Sequence, residues 1–329
     1  MISVVIPLYN KAHTIVETLD TVMSQTYTDF EVIIVNDGSW DNGVDIIKRN
    51  FRDQRIRIIC QENQGVSVAR DRGVVEARSN YIAFLDADDK WHPEYLTKMH
   101  QAIEQYPNAA LYSSGGLVIN ADESISFRLS KKYLNKITIC DYFSNPHLFC
   151  HTSSTIINKK VFLQTDGSPR GMLRSQDLAL FFQIALKGPF VYVGLPLSKY
   201  VGGVVGQATS SNKLKALKYF CYLYNFISEK NKQIQNKSLI YFFKYALRHN
   251  FKSCFLERDY NSLHYWLVNL STDVLSYFSK FEILLYKKHV RTISLLWINF
   301  TKVIWRIKDR PVLYEKVDLS QIDKKYLDW

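Results

Sequence analysis

The sequence predicts an α/β protein: a mostly parallel sheet flanked by helices, followed by a mainly α-helical C-terminal region. Three observations carry this prediction. Short β-branched runs alternate with stretches of helical periodicity over the first 110 residues. Polar residues follow several of these runs, and a basic, aromatic-rich segment with helical spacing begins near residue 212. We therefore predict an α/β domain over residues 1–211, with halves at 1–110 and 111–211, and a helical region over residues 212–329.

The first half of the α/β domain has four apolar runs of the length of buried strands, which are Ser3–Leu8, Phe30–Val35, Ile56–Cys60 and Tyr81–Leu85. Four segments between and after these runs have helical spacing, and they are Thr14–Gln25, Asp45–Phe51, Val66–Ala77 and Pro93–Tyr106. Strict alternation of strand and helix is typical of a parallel sheet with helices on both faces.

The second half has a looser pattern. Ala109–Ile119 and His151–Ile157 are predicted strands. Ser175–Lys187 is a predicted helix with Ser175 as its N-cap and with one apolar face. Residues 190–212, rich in Gly and Ser, are predicted to be a loop.

Charge divides the 329-residue chain unevenly. The formal net charge is +11; residues 1–212 are neutral overall, whereas residues 213–310 carry 18 basic and 6 acidic residues. Such a segment favours a polyanion or an anionic membrane surface as its partner. Five Cys residues without metal-like spacing indicate a reducing compartment. We expect neither a secretory leader nor a membrane-spanning helix, because the first residues lack a basic segment and no apolar run is long enough to span a bilayer.

One segment of the basic region is amphipathic. Between Tyr286 and Lys308, a helix would align one apolar stripe made of Val290, Ile293, Trp297, Phe300, Ile304 and Ile307. Another side would carry Lys288, Arg291, Lys302 and Arg306. This pattern predicts an interfacial helix on an anionic bilayer. The alternative is a helix packed on the α/β domain with a solvated basic face.

Polar residues at three predicted strand ends are expected to meet in one crevice, because ligands of such sheets bind beyond the carboxyl ends of the strands. They are Tyr9-Asn10, Asp37, and Asp86 with Asp88. Two carboxylates one residue apart can hold a hard divalent cation that also meets substrate phosphates. The alternative is a solvated acidic turn.

Asp37 and two further residues, Asp177 and Arg70, are candidates, each with a structural alternative. Asp37 is a candidate for recognition of a base or ribose, and the structural alternative is an Asx-turn that closes its strand. Asp177, in the first turn of its helix, is a candidate general base, and the alternative is an ordinary helix-start residue. Arg70 is a candidate to bind a diphosphate, and the alternative is a surface salt bridge.

Four segments together resemble family 2 glycosyltransferases with the GT-A fold, and they are Ser3–Asn10, Val35–Ser39, Asn63–Arg70 and Phe84–Asp89. Their order and spacing match the family. The resemblance covers residues 1–110 closely and extends less closely to about residue 210.

The resemblance implies inverting transfer of a sugar from a UDP-sugar to a glycan hydroxyl, with Mn²⁺ or Mg²⁺. The half 1–110 would bind the nucleotide-sugar and the half 111–211 the acceptor. Position by position, it implies these roles: Pro7 and Tyr9 shape the nucleotide pocket, Asp37 meets uracil or ribose, Arg70 lies near the base or phosphates, Asp86 lies by the ribose, Asp88 holds the metal, and Asp177 is the catalytic base.

The chain departs from the family pattern at three places. Gln176 precedes Asp177 where the family often has Glu, and Asp71 follows Arg70 where it often has Asn. Residues 199–212 lack the His that many members use as a metal or phosphate contact, and Gln207 or Thr209 are the candidates to replace it.

The resemblance and the charge pattern together predict an enzyme of bacterial capsule, O-antigen or lipopolysaccharide synthesis. Its acceptor would be lipid-linked, its location the cytoplasmic face of the cytoplasmic membrane, and nucleic acid would not be its partner. Self-association is a further expectation for such helix-rich C-terminal regions. Two alternatives stay open: a nucleotide-sugar-binding protein without turnover, and a nucleic-acid-binding module that uses the basic region.

Overall fold

The computed structural model describes residues 1–120, 122, 124–172, 174–202, 213–307, 317–327 and 329, and it describes only the backbone at 147–148, 213–216 and 304–307. Ten strands of the described residues form one mixed sheet. The strands are β1 (Ile2–Leu8), β2 (Phe30–Asp37), β3 (Ile56–Gln61), β4 (Tyr81–Phe84), β5 (Lys90–Trp91), β6 (Leu111–Ile119), β7 (Ile125–Arg128), β8 (Ile137–Cys140), β9 (Thr155–Asn158) and β10 (Phe190–Val201).

The sheet order is β3-β2-β1-β4-β9-β6-β10-β5, with β7 beside β6 and β8 beside β10. Strands β1, β2, β3, β4, β6 and β10 run in the same direction, and β9 enters antiparallel between β4 and β6. Every residue of β1 and β2 is buried, as expected for parallel strands that are covered on both faces. The predicted α/β class with a mostly parallel sheet is confirmed.

Helices cover both faces of this sheet, and they are α1 (Ile15–Met23), α2 (Gly43–Asn50), α3 (Val66–Glu76), α4 (Tyr95–Gln105), α5 (Pro146–Phe149), α6 (Lys159–Phe162) and α7 (Gln176–Ala185). Side chains alternate along β1: Val4 and Ile6 join the core with α1 and α4, whereas Val5 joins the core with α3 and α7. The helix α7, where Asp177 lies, thus belongs to the same core as α3, where Arg70 lies.

The predicted loop over residues 190–212 is wrong in its first part, because β10 is a 12-residue strand at Phe190–Val201. The loop was predicted from Gly and Ser content, and Gly194 lies inside this strand, as does Pro196. In the structure they coincide with register shifts between β10 and β6. A Cβ atom at Gly194 would clash with the Tyr133 carbonyl oxygen, so the close approach of the two backbones requires glycine there.

The described residues from 213 to 307 form six α-helices, which are α8 (Lys213–Ile234), α9 (Lys237–Glu257), α10 (Tyr260–Asn269), α11 (Thr272–Ser276), α12 (Lys280–Lys287) and α13 (Arg291–Ile307). The prediction of a mainly helical C-terminal region is confirmed. Polar side chains accept hydrogen bonds from backbone N–H groups at four helix starts, namely Asn236, Asp259, Ser271 and Ser279. The predicted boundary near residue 211 lies outside the described residues, as do Gln207 and Thr209.

Aromatic side chains join the helical region to the sheet domain. Phe182 on α7 packs edge-on against Phe242 of α9, with ring centroids 5.7 Å apart, and against Tyr142 at 5.6 Å. Phe243 and Trp266 are buried in the same core. Many of the aromatics that made the basic region conspicuous are therefore core residues, which weakens the alternative of a base-stacking nucleic-acid surface.

Residues 317–327 and 329 return to the sheet domain and pack beside α4. Tyr326 donates a hydrogen bond from its phenol to Glu94 Oε2 at 2.7 Å, and Lys325 Nζ lies 2.8 Å from Glu94 Oε1. Among the described residues, none of the helices combines the length and the hydropathy needed to span a bilayer.

Candidate functional site

The carboxyl ends of β1, β2 and β4 meet at one edge of the sheet. The Asn10 backbone N–H donates to Ser39 Oγ at 3.1 Å, and the Trp40 N–H donates to Asn10 Oδ1 at 3.0 Å. Thr14 Oγ1 donates to the Ala87 carbonyl at 2.8 Å. These bonds tie the loops after β1, β2 and β4 together, so the structure brings the three predicted strand ends together at one edge of the sheet, the position of the predicted crevice. Pro7 is buried within β1, and Tyr9, just beyond it, is 46% exposed.

Asp37 uses its carboxylate within the chain. Its Oδ1 accepts hydrogen bonds from Gln61 Nε2 at 2.8 Å and from the Gln64 N–H at 2.9 Å, and its Oδ2 accepts from the Gly65 N–H at 2.8 Å. Gly65 has a φ of +91° and begins α3, a conformation that favours glycine. Asp37 therefore fixes the loop that leads into α3, and its contact with uracil or ribose stays a prediction.

Asp86 pairs with Arg70 beneath the crevice. Arg70 Nη2 lies 2.5 Å from Asp86 Oδ1, and the Arg70 side chain is 6% exposed. The salt bridge considered as an alternative is thus present, with a buried guanidinium and with a carboxylate whose side chain is 29% exposed. Burial lowers the pKa of Arg70, but the carboxylates of Asp86 and Asp177 outweigh burial, so that this pKa is raised. Burial raises the pKa of Asp86, and the charges of Asp88 and Asp177 add to the rise. Arg70, Asp86 and Asp177 are therefore electrostatic neighbours.

Asp88 pairs with Lys11, a residue that sequence reasoning missed. Lys11 Nζ lies 2.7 Å from Asp88 Oδ2, and the two side chains are 15% and 11% exposed. The available signal was position, because Lys11 directly follows Tyr9-Asn10 at the end of β1. An ammonium group therefore stands at the carboxylate predicted to hold the metal.

The carboxylate of Asp88 suits a divalent cation whose other ligands are the phosphates of a nucleotide. Within the described ranges, no three His, Cys, Asp or Glu side chains stand together as a metal cage. Mg²⁺, however, is commonly held by one or two carboxylates, with substrate phosphates completing the shell. Asp88 is such a carboxylate, provided that Lys11 moves away from it.

Asp177 lies in the first turn of α7, where a helix N-terminus stabilises negative charge. Its Oδ1 accepts from the Leu178 N–H at 2.8 Å, and its Oδ2 accepts from Thr152 Oγ1 at 3.3 Å. Ser175 is the N-cap residue of α7 as predicted, but it has a φ of +59° and its side chain makes no cap hydrogen bond.

A polar turn at residues 151–154, also missed from the sequence, supports the acidic loop from below. Ser153 Oγ accepts from the Asp86 N–H at 3.1 Å and donates to Asp89 Oδ2 at 2.5 Å. The Trp91 indole donates to the Ser153 carbonyl at 2.6 Å. Since Thr152 of this turn contacts Asp177, one short segment positions both the acidic loop and the candidate base.

His151 begins this turn and is buried. Its Nε2 lies 3.2 Å from Ser198 Oγ, and burial lowers the pKa of His151 to about 3. Because the unfolded imidazole has a pKa of about 6.5, the unfolded chain binds more protons between these values. Stability is therefore lost as the pH falls through this window.

We expect the free energy of unfolding to drop by about 2 kcal/mol through His151 between pH 7 and pH 5. His151→Gln should remove this part of the pH dependence. Urea unfolding at both pH values measures it, with exposed His13→Gln as the matched control. The same pH dependence in His151→Gln and wild type would contradict the assignment.

Asp71 holds the segment before α7. Its Oδ1 accepts from Ser168 Oγ at 2.7 Å, and its Oδ2 lies 3.1 Å from the Ser168 N–H. Burial raises the pKa of Asp71, although the bonds from Ser168 oppose the rise. Asp71, which stands where the family often has Asn, thus links α3 to the loop that leads to Asp177.

Comparison with known proteins identifies a family model and several relatives that the chain resembles. The sequence model of Glycosyl transferase family 2 matches residues 3–164. TuaG of Bacillus subtilis (strain 168), named as a teichuronic acid biosynthesis glycosyltransferase, is 31% identical over 229 residues, which are 68% of this chain and 87% of TuaG. The amylovoran biosynthesis glycosyltransferase AmsB of Erwinia amylovora is 29% identical over 227 residues, 66% of this chain and 74% of AmsB.

A solved structure shares the fold over nearly the whole chain. The crystal structure of S. aureus TarS 1–349 in complex with UDP-GlcNAc superposes with a TM-score of 0.70, at 14% identity, over 96% of this chain and 94% of that one. At this identity the likeness concerns the fold, which includes the helices after the sheet domain. The sequence relatives and the family match together show that the chain belongs to glycosyl transferase family 2.

Proposed function

We propose that the protein is an inverting glycosyltransferase that moves a sugar from a UDP-sugar to a hydroxyl of a lipid-linked glycan during bacterial surface-polysaccharide synthesis. The observation that carries the proposal is that one short turn contacts both Asp177, at the start of α7, and the acidic loop: Thr152 donates to Asp177, and Ser153 accepts from the Asp86 N–H. The names of TuaG and AmsB support the polysaccharide context, and the UDP-GlcNAc complex of TarS supports the donor class.

In the proposed reaction, the Asp177 carboxylate accepts the proton of the acceptor hydroxyl. The acceptor oxygen forms a bond to the anomeric carbon from the face opposite the leaving group. The bond between that carbon and the diphosphate oxygen breaks, and its electron pair leaves with UDP. One displacement inverts the anomeric configuration. Thr152 orients the Asp177 carboxylate, and Arg70 adds positive charge beneath Asp86.

Asp88 would hold Mn²⁺ or Mg²⁺, which when bound supplies Lewis-acid stabilisation of the charge that builds on the diphosphate. Tyr9, with its exposed ring, and Pro7 are proposed to border the nucleotide. Asp37 serves the same pocket by fixing the loop before α3. The acceptor would approach from the half of the domain formed by residues 111–211.

Release of UDP from a panel of UDP-hexoses and UDP-N-acetylhexosamines tests the proposal, measured with Mn²⁺ and with EDTA. Metal-dependent release from one donor would support it and identify the sugar. UDP binding without release from any donor, with membrane extract supplied as acceptor, would favour a nucleotide-sugar-binding protein, an alternative kept open by Gln176. Absence of UDP binding would contradict the proposal.

Lys11 is expected to compete with the metal for Asp88. The Lys11→Met change should tighten Mn²⁺ binding roughly fivefold or more, because a partly buried ion pair and a nearby positive charge no longer oppose the metal. Electron paramagnetic resonance of free Mn²⁺ measures the affinity without turnover. Lys48→Met, on α2, is the control. Equal affinity in Lys11→Met and wild type would show that Lys11 does not compete.

A further inference from the structure

Helices α12 and α13 leave a patch of large apolar side chains in contact with solvent. Six of the 18 exposed large apolar side chains in the described part of the chain lie on these two helices. They are Phe281 and Leu284 of α12, and Ile293, Leu296, Phe300 and Val303 of α13, each between 49% and 64% exposed. We call these six side chains the α12–α13 patch.

The patch differs from the stripe predicted from sequence alone. Positions 293, 296, 300 and 303 follow helical spacing and fall on one side of α13, whereas Ser294 and Ile298 on the other side are buried. Trp297, which belongs to the predicted stripe, is partly buried and packs edge-on against Phe281, with ring centroids 6.5 Å apart. The side chains of Ile304, Arg306 and Ile307 lie outside the described residues, so the patch rests on α12 and on α13 up to Val303.

Positive charge borders the patch. Lys280, Lys287 and Lys288 are exposed, and helical spacing puts them on the side of α12 that carries Phe281 and Leu284. Residues 280–307 contain six Lys and Arg residues and one acid, Glu282. That acid is 1% exposed, and Arg248 donates to it twice, at 2.7 and 2.8 Å. No carboxylate of this segment therefore faces solvent to repel an anionic surface.

Taking these observations together, we propose that the α12–α13 patch docks the protein on an anionic lipid bilayer. The apolar side chains enter the acyl boundary, and the three lysines meet lipid phosphates. A second copy of the chain is disfavoured as the occupant, because two segments of like charge would face each other. Nucleic acid is disfavoured because four of the six side chains are aliphatic and offer no ring for base stacking. The docking site rests on the proposed function only in that a lipid-linked acceptor gives it a purpose.

Co-sedimentation of the full chain with vesicles tests this inference. Wild type should bind vesicles of phosphatidylcholine and phosphatidylglycerol, at roughly three to one, and should not bind phosphatidylcholine alone. Leu296→Gln/Phe300→Gln should weaken binding roughly tenfold or more, since both side chains are exposed and supply much of the apolar contact. Lys287→Glu/Lys288→Glu should weaken it as well. The control Ile125→Gln/Leu163→Gln changes exposed apolar residues elsewhere and should bind like wild type.

The same samples separate this inference from the proposed function. UDP release by each variant, measured without vesicles, should equal that of wild type, because the patch lies outside the crevice. Unchanged vesicle binding by Leu296→Gln/Phe300→Gln would overturn the inference, whatever the enzyme activity. A wild-type dimer that dissociates in this variant would also overturn the inference. Salt-sensitive binding to a single-stranded oligonucleotide, without binding to vesicles, would do the same.

Discussion

Replacement of Asp177 by Asn is expected to lower kcat for sugar transfer by about 10²–10⁴-fold, the usual contribution of a positioned general base. The amide keeps the size of the side chain and can still meet Thr152, but it cannot take the proton of the acceptor hydroxyl. The fold and UDP binding should be preserved. Initial rates at saturating donor and acceptor give kcat, and isothermal titration gives the affinity for UDP.

Asp166→Asn is the matched control for this change. Asp166 lies in the segment before the same helix, is more than half exposed, and pairs with Lys230. Its substitution should leave kcat within a factor of about two, as for an exposed ion pair. If Asp177→Asn also kept nearly full activity, another group would have to accept the proton, and the assignment of the base would be wrong.

Replacement of Asp88 by Asn is expected to lower the transfer rate by roughly a hundredfold or more. Lewis-acid stabilisation of a leaving group is worth several kcal/mol, and about 1.4 kcal/mol corresponds to a factor of ten. The variant should also bind Mn²⁺ much more weakly in the presence of UDP. Binding measured by electron paramagnetic resonance separates this loss from any change in catalysis.

Glu17→Gln is the control for Asp88, because Glu17 is 66% exposed and pairs with a lysine, Lys90, at the surface. It should keep the wild-type affinity for Mn²⁺. Equal metal affinity in Asp88→Asn and wild type would place the ion elsewhere. Full activity of wild type in EDTA would show instead that Lys11 and Arg70 provide the positive charge without a metal.

The sheet was largely predictable because its central strands are buried on both faces. Such strands appear in the sequence as uninterrupted apolar runs, as in β1 and β2. β10 escaped prediction because its pairing with β6 shifts register around Gly194 and Pro196, and these residue types are typical of loops. Its strand character depends on contacts with β6 and Tyr133, distant along the chain, which no local pattern reports.

The candidate site was predictable in its acidic residues and not in their partners. Strand ends place Asp37, Asp86 and Asp88 at one edge from topology alone. The pairing of Lys11 with Asp88, and the support that Ser153 gives to Asp86 and Asp89, depend on side chains 64 to 77 residues apart in sequence. Folding decides these contacts, and the residue types involved are common at any protein surface.

The aromatic contacts between α7 and α9 limit how the domains of such proteins can be exchanged. One side of this helix holds the candidate base, and Phe182 on the same helix interlocks with Phe242 and Phe243 of α9. The C-terminal helices are therefore not an interchangeable module. A chimaera that takes them from a relative must also take the matching face of α7 and the rings around Tyr142. Otherwise bulky aromatic side chains would be exposed to water, and the position of the candidate base would be disturbed. Recombination between family members should accordingly favour crossovers upstream of this helix.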